Sequence, residues 1–521
     1  MQPTQNQMDT KAKFQRDKTL LYMAKKTLLI AFFTMLFLEP TRCLPVSAAD
    51  EITSAEKVAL AAKAKGTALP LVCVETENGE KPTFTTVTST SGAQAINAEY
   101  VSGRVVIILK GDTVYDSGTY EKGVSGMRIK VRGNTSATLF EKTPYKLKLQ
   151  KKADLLLRND KSLRSKNWAL LSVYLTNDNM ETGKGNLQTV FGLELARQLG
   201  MEWEPSSTFV NLVMNGEYAG LYNLTETVER ETARVNVEDD GFVIENDAYW
   251  WNEDKSFRTP RQQKDAWMGF TFKYPDADDV TDEYLGQLLA YMTTVEEELE
   301  NGDAPETYLD YKSFATWILA HDLLGSTDPA GTNIYFQKAS FDAADYTASP
   351  LEAGPLWDFG GTFKANDGAW SAQHTHSITY YPLLFKRTAF CEEYVSQFQK
   401  VKSTLLNAMR NYLETYGDEN AAAFDASTVL QNSLISYDAA RTFDEQKEEI
   451  LQLLEKRIET LDGLISTTLS AGISTVATPR TSTLILSDII GRRLNANPNA
   501  PLPRGIYILR DAKGQTKKVC R

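Results

Sequence analysis

The chain is 521 residues long, 42% hydrophobic and 24% charged, with a formal net charge of −12. That length and apolar content allow a substantial core and exceed what one compact domain usually holds, so two lobes or more are expected. The acidic balance argues against nucleic acid or an anionic membrane surface as the main partner, and a basic partner is easier to accommodate.

The N-terminus carries an address. From Met23 the sequence reads "MAKKTLLIAFFTMLFLEPTRCLPVSAADE": two lysines, an apolar run from Leu28 to Leu38, then small residues suited to cleavage after Ala48 or Ala49. This is the layout of a secretory signal peptide, with the residues before Met23 as an over-extended start. The run is too short to span a bilayer, so a secreted or surface protein without a stable membrane span is expected. Removing residues 1–48 takes away seven basic and three acidic groups and leaves a net charge near −16. Cys43 lacks the small residues that precede a lipid-anchored cysteine. Cys73, Cys391 and Cys520 have no CxxC spacing and make neither a disulfide framework nor a zinc site.

From Leu69 to about Leu149 short β-type runs alternate with Gly, Asp and Ser turns: "LPLVCVET", "RVVIIL", "MRIKVRG" and "YKLKLQ". "KNWALLSVYL" follows, then a helix at "LQTVFGLELARQLG" that stops at Gly200 with Arg197 in its last turn. "STFVNLVMNGEYAGLYNLTETVE" is a hairpin, because Asn215-Gly216 tolerates the positive φ of a tight turn. Beyond Asp278 helices dominate: "TDEYLGQLLAYMTTVEEELE", the Tyr311–Leu324 segment, and an amphipathic helix with Ile450, Leu454, Ile458, Leu461 and Ile465 on one face. The Ser/Thr-rich "STTLSAGISTVATPRTST" reads as a linker. After it come two short strands around a Pro/Asn-rich turn, with a basic close. No internal repeat is visible.

Strand periodicity puts Arg128, Lys130 and Arg132 on one face, and Lys146 with Lys148 on one face of the next strand. Two adjacent basic faces make a plausible phosphate cradle, although edge strands also use lysines to discourage aggregation. Further on, "GSTDPAGTNIYF" sets Asp328 and Asn333 at the D-x-x-x-x-N spacing of a kinase catalytic loop. "GPLWDFGGTF" then places Asp358 in a D-F-G, where such an Asp binds metal. Phosphoryl transfer needs little more than this: a group that orients the hydroxyl and oxygen ligands that hold Mg²⁺ on the phosphates.

Seven stretches in order, "VRGNTS", "TPYKLKL", "KNWALLSVYL", "LELARQLGMEWEPSSTFVNLVMNGEYAGLYNLTETVE", "DGFVIEND", "DPAGTNIYF" and "PLWDFGGTF", resemble the CotH kinase family of spore-coat-protein-H-like atypical protein kinases. The resemblance covers roughly residues 69–400. It implies an α+β, two-lobed, protein-kinase-like fold with a β-rich N-terminal lobe and a helical C-terminal lobe, acting on Ser or Thr of extracytoplasmic proteins with ATP and Mg²⁺ or Mn²⁺. By position, Lys148 or Lys146 supplies the nucleotide lysine, with Lys148 narrowly preferred. Asp328 is the base, Asn333 and Asp358 hold metal, Arg132 lies near the phosphates, and Glu226 sits in the segment linking the lobes. The expected division is a signal peptide with its over-extended start in 1–49, the first lobe in 50–225, the second in 226–470, and linker plus tail in 471–521. The tail, through "DIIGRRL", "GIYIL" and "GQTKKV", resembles the C-terminal sorting tails of the type IX export route of Bacteroidetes; the other reading is an edge hairpin of the main domain.

Two departures from the family pattern favour an alternative, an inactive kinase-fold surface module that binds a protein or a glycan. Gly360 replaces a second acidic residue, and "GKGN" stands where relatives carry an Asp and an Arg-Asn pair. A hydrolase is disfavoured, since neither GxSxG nor HExxH is present. His374 and His376 in "SAQHTHS" read as a polar loop rather than a metal site, Trp250-Trp251 as a half-buried strand end or a ligand-binding face, and "DADDVTDE" as an acidic helix start.

Overall fold

A computed structural model describes residues 52–138, 142–172, 187–265, 268–326, 333–363, 369–370, 379–434 and 441–469, with three further strands between Ile485 and Cys520. Backbone contacts divide the chain at Thr53/Ser54, and the description below starts at Ser54. The first half runs α1 (Ser54–Ala64), β1 (Leu71–Thr76), β2 (Thr85–Thr88), β3 (Gln94–Asn97), β4 (Val101–Leu109), β5 (Asp112–Asp116), β6 (Met127–Val131), β7 (Tyr145–Ala153), β8 (Ser165–Ser172), α2 (Gln188–Gln198), β9 (Ser207–Met214) and β10 (Glu217–Glu226). The second half runs β11 (Phe242–Asp247), β12 (Ser256–Phe257), β13 (Gly269–Tyr274), α3 (Asp282–Asn301), α4 (Tyr311–Leu323), β14 (Ile334–Lys338), β15 (Leu351–Ala353), α5 (Thr388–Val401), α6 (Leu405–Leu434) and α7 (Phe443–Leu469). The mixed α/β architecture is therefore rich in sheet at the N-terminal side and helical at the C-terminal side.

The first sheet has the order β1-β9-β10-β8-β7-β6-β4-β5, and β1 also pairs with β4. That extra pairing joins the two ends of the run, so seven strands close into a ring with β5 appended. Its interior is filled by alternate side chains, among them Val72, Ile107, Ile129, Leu147, Trp168, Leu212 and Leu224. Burying each such side chain contributes roughly 1.5–3 kcal/mol, and closure also removes exposed sheet edges. Asn215 and Gly216 both take positive φ, 51° and 84°, and turn β9 into β10 as the Asn-Gly pair predicts.

The second sheet has the order β12-β13-β11-β14-β15. One face, with Phe242, Ile244, Phe270 and Phe336, packs into the large core that also takes up α2, α3 and α4. Helix α4 is buried on nearly every side from Phe314 to Leu323, as its largely apolar sequence demands. Asp310 caps its start by accepting from Lys312 N and Ser313 N at 3.2 and 3.0 Å. At its end Gly325 adopts φ 52°, and Ser326 N donates back to His321 O at 3.0 Å, a Schellman closure.

The acidic run before α3 does start a helix: the side chain of Thr281 accepts from Tyr284 N, and Asp282 and Glu283 occupy the first turn. Ile450, Leu454, Leu461 and Ile465 of α7 are buried along one face. Trp250 lies in a 3₁₀ turn just past β11, and its ring is packed so closely on Gly269 that a β-carbon there would sit 2.4 Å away. The tail holds three strands rather than two, β16 (Ile485–Asp488), β17 (Ile506–Arg510) and β18 (Thr516–Cys520), in one antiparallel sheet. The additional strand is the basic close of the sequence, whose short "TKKVC" run carries too little alternation to be recognised alone.

Candidate functional site

The inward set of β6 and β7, Met127, Ile129 and Val131 with Tyr145, Leu147 and Leu149, turns Arg128, Lys130, Lys146 and Lys148 outward. Register sets Arg128 opposite Lys148 and Lys130 opposite Lys146. Like charges directly opposed destabilise a bare strand pair. Burial lowers the Lys130 ammonium below its ordinary value, and Lys146 adds repulsion. Lys146 binds Glu229 at 3.1 Å, whereas Arg128 and Lys130 lie over the Tyr100 ring at 4.9 and 5.0 Å.

The second wall is the polar face of the second sheet. Glu245 of β11 pairs across with Tyr335 of β14, and the register ends at Asn246↔Ile334, so that Asp247 closes β11 and Asn333 immediately precedes β14. Opposed residues, and residues two apart on a strand, share a face, so Glu245, Asp247 and Tyr335 form one patch, joined by Lys273 of β13 through a 2.6 Å ion pair to Glu245, with Asn333 next to it at the start of β14. Burial pushes the Glu245 carboxyl up to about 7 against the pull of Lys273. Burial opposes the charge on Lys273, but Glu245, Tyr335 and Asp247 together outweigh it and hold the ammonium above its ordinary value. Burial also raises Asp247 and Glu253.

Arg132 links the two walls. It follows β6, its N–H bonds Pro144 O, and Gly133 turns the chain with φ 75°. The guanidinium lies 5.1 Å from the ring centre of Trp357, the residue before Asp358. Burial lowers its ordinary value, while Tyr335, Asp358 and Glu245 act in the opposite sense.

Asp358 itself is exposed and takes φ 62°, a left-handed conformation that Asp tolerates better than most residues. Its Oδ1 accepts from Gly360 N at 3.1 Å. Strands β14 and β15 pair from Lys338↔Leu351 to Phe336↔Ala353, and Gly354 N donates to Tyr335 O. The chain therefore leaves β15 toward the end of β14 where Asn333 stands. Glu204, buried and raised well above the carboxylate range by that burial, accepts from Leu356 N at 2.9 Å and fixes the approach to Asp358. Phe363 N donates to Leu324 O, joining the far side of this loop to the end of α4.

The structure thus brings Arg132, Asn333 and Asp358 to one region beside the Lys146 and Lys148 face. Glu226 ends β10 within a separate buried network: Arg158 at 2.8 Å, Arg234 at 3.8 Å and Ser206 N at 2.8 Å take up its carboxylate. Asp328, His374, His376 and "GKGN" at 183–186 lie outside the described residues. Sequence reasoning did not single out Glu229, Glu245, Asp247, Lys273 or Tyr335. For Glu245 and Asp247 a signal was available in "DGFVIEND", where the two acidic residues stand on one face of the strand and Phe242 and Ile244 on the other.

The donors present suit a hard cation. Asn333 offers an amide oxygen and Asp358 a solvent-facing carboxylate, the oxygen set that Mg²⁺ takes from a protein while phosphates and waters fill its remaining positions. Among the described residues no three His, Cys, Asp or Glu side chains converge on a metal position, and no described helix is long and apolar enough to cross a membrane.

No curated protein matches the chain. The sequence model of a family described as CotH kinase protein matches residues 129–461, which covers most of both walls of the cleft and α7 as far as Leu461. The chain belongs to the CotH kinase protein family.

Proposed function

We propose that this chain is an ATP-dependent protein Ser/Thr kinase acting on proteins outside the cytoplasm. One observation carries the reading: an outward face of opposed cations stands beside loops presenting Asn333 and Asp358, with Arg132 between them. Opposed cations are relieved by a polyanion, and a nucleotide triphosphate is one.

Of the two lysines on β7, we assign Lys146 to the phosphates, because Glu229 at 3.1 Å holds its ammonium in place. Arg132 supports the phosphate charge from the other side. Asn333 and Asp358 would hold Mg²⁺ or Mn²⁺, which when bound neutralises the phosphates and stabilises charge on the transferring group. Asp328, which lies between α4 and β14 in the sequence, is assigned as the base that orients the acceptor hydroxyl. Val228, Val235, Val243 and Trp357 are buried together where the chain passes between the sheets and make that passage an apolar, packed one. Glu226 serves as a strut that fixes the start of that passage through Arg158 and Arg234. The signal-peptide layout and the sorting-type tail support export of the chain. A second reading, a binding module without transfer, is favoured by Gly360, which leaves that loop with one carboxylate.

The test is labelling with γ-labelled ATP, by autophosphorylation and on a casein-type acceptor, with Mg²⁺ or Mn²⁺ and an Asp328→Ala control. Label lost in the variant supports transfer; an unlabelled wild-type chain that still binds ATP supports the binding module.

A further inference from the structure

Arg457 of α7 is almost fully buried, and its guanidinium is spent on backbone carbonyls of two distant segments. Nε and Nη2 donate to Asp322 O at 3.0 and 2.7 Å, in the last turn of α4. Nη1 donates to Ala369 O at 2.9 Å, and Nη2 also donates to Trp370 O. The first carbonyl lies six residues before Asp328, and the other two lie eleven and twelve residues after Asp358. Neighbours reinforce the junction: Tyr394 of α5 donates to Asp322 Oδ2 at 2.8 Å and sets its ring edge-on to Trp370 at 6.1 Å. His321 Nδ1 lies 3.1 Å from Ser326 Oγ at the exit toward the loop.

We infer that Arg457 is a positioning residue, a clamp that holds the end of α4, from which the sequence runs on to Asn333, against the segment 369–370 that follows Asp358. The inference deepens the kinase reading and rests on it. A planar fork with five donors can hold two chain segments at once, whereas an ammonium on a flexible stem cannot reproduce that geometry. Reacting groups misplaced by about 1 Å lose on the order of a hundredfold in rate.

The experiment compares wild type with Arg457→Lys in the full chain. The expected result is native-like circular dichroism, a KM for ATP within about threefold, and kcat lowered by tenfold or more. Hydrogen exchange should quicken at 322–326 and 369–370 and stay unchanged in the β6–β7 pair. A variant with wild-type kcat, or with only KM altered, overturns the clamp, as does unchanged exchange. If Arg457→Lys melts below the assay temperature, wild-type exchange decides: amides 323–326 and 369–370 should open with one shared free energy, and two separate values overturn the inference. Exchange needs no activity, so a wild-type chain that transfers no phosphate would sink the kinase reading and leave the clamp testable.

Discussion

The ring of Phe359 rests on the α-carbon of Gly192: a β-carbon at 192 would lie 2.1 Å from Phe359 Cδ1. Gly192 is buried in the middle of α2, and Phe359 follows the exposed Asp358. The missing side chain is therefore a seat for the D-F-G loop.

Gly192→Ala tests that seat. In an exposed helix interior the change would stabilise by about 1 kcal/mol. Here overpacking should reverse the sign and cost about 1–3 kcal/mol, with kcat down about tenfold as Phe359 displaces Asp358. A urea titration with parallel kinetics checks both, and a stabilised, fully active variant would remove the seat from the mechanism.

Asp358→Asn keeps a residue type that accepts the 62° φ and removes the charge. The fold should hold, with an unchanged melting profile. Calorimetric titration with ATP should show affinity lost about tenfold or more in Mg²⁺ and little change in EDTA. Equal affinity in Mg²⁺ would exclude Asp358 as a metal ligand.

Lys146 and Lys148 stand two residues apart on one face, yet Lys146 is the one paired with Glu229. Lys146→Ala should raise the KM for ATP about tenfold or more, and Lys148→Ala by clearly less. Glu229→Gln should have a smaller effect still, because the pair is partly exposed. Reversal of the first two results would return the assignment to Lys148, the sequence preference.

Glu296 of α3 is buried and accepts from Thr259 Oγ1 at 2.9 Å and Tyr380 OH at 3.1 Å. Burial pushes its carboxyl from 4.5 up to about 7. The folded chain therefore holds this proton more tightly than the unfolded chain. Its stabilising contribution is fully present below pH about 4.5 and is lost as pH rises through about 7. Glu296→Gln imitates the protonated form, so it should match wild type at pH 5 and exceed it at pH 8 by about 1–3 kcal/mol in urea unfolding. An equal difference at both pH values would show that the proton is not involved.

Local pattern revealed much of this molecule. Period-two alternation identified β6 and β7 and their outward cations, the Asn215-Gly216 pair identified the hairpin, and the apolar stretch closed by Gly325 identified α4 with the start of its loop. Relations across the chain stayed hidden. Closure of the first sheet depends on β1 meeting both β4 and β9, and no local spacing encodes such pairings. Lys273 and Glu245 read separately as ordinary strand charges, and become a buried pair only when β11 and β13 align. Arg457 looks like a solvated helix residue until α7 packs over Asp322. Glu226 reads from the family resemblance as part of the segment linking the lobes; the structure makes it the last residue of β10, and its capture by Arg158 and Arg234 depends on segments distant in sequence.

Arg457 follows Asp322 by 135 positions. During synthesis the ring of β-strands and helix α4 are complete in sequence before α7 emerges from the ribosome. A nascent chain can therefore own every residue of the cleft and still lack the clamp that sets its loops. On the proposed reading, competence for phosphate transfer would arrive in the final stage of translation, and products ending before α7 would lack both the clamp and the buried face that Ile450, Leu454, Leu461 and Ile465 add to the core.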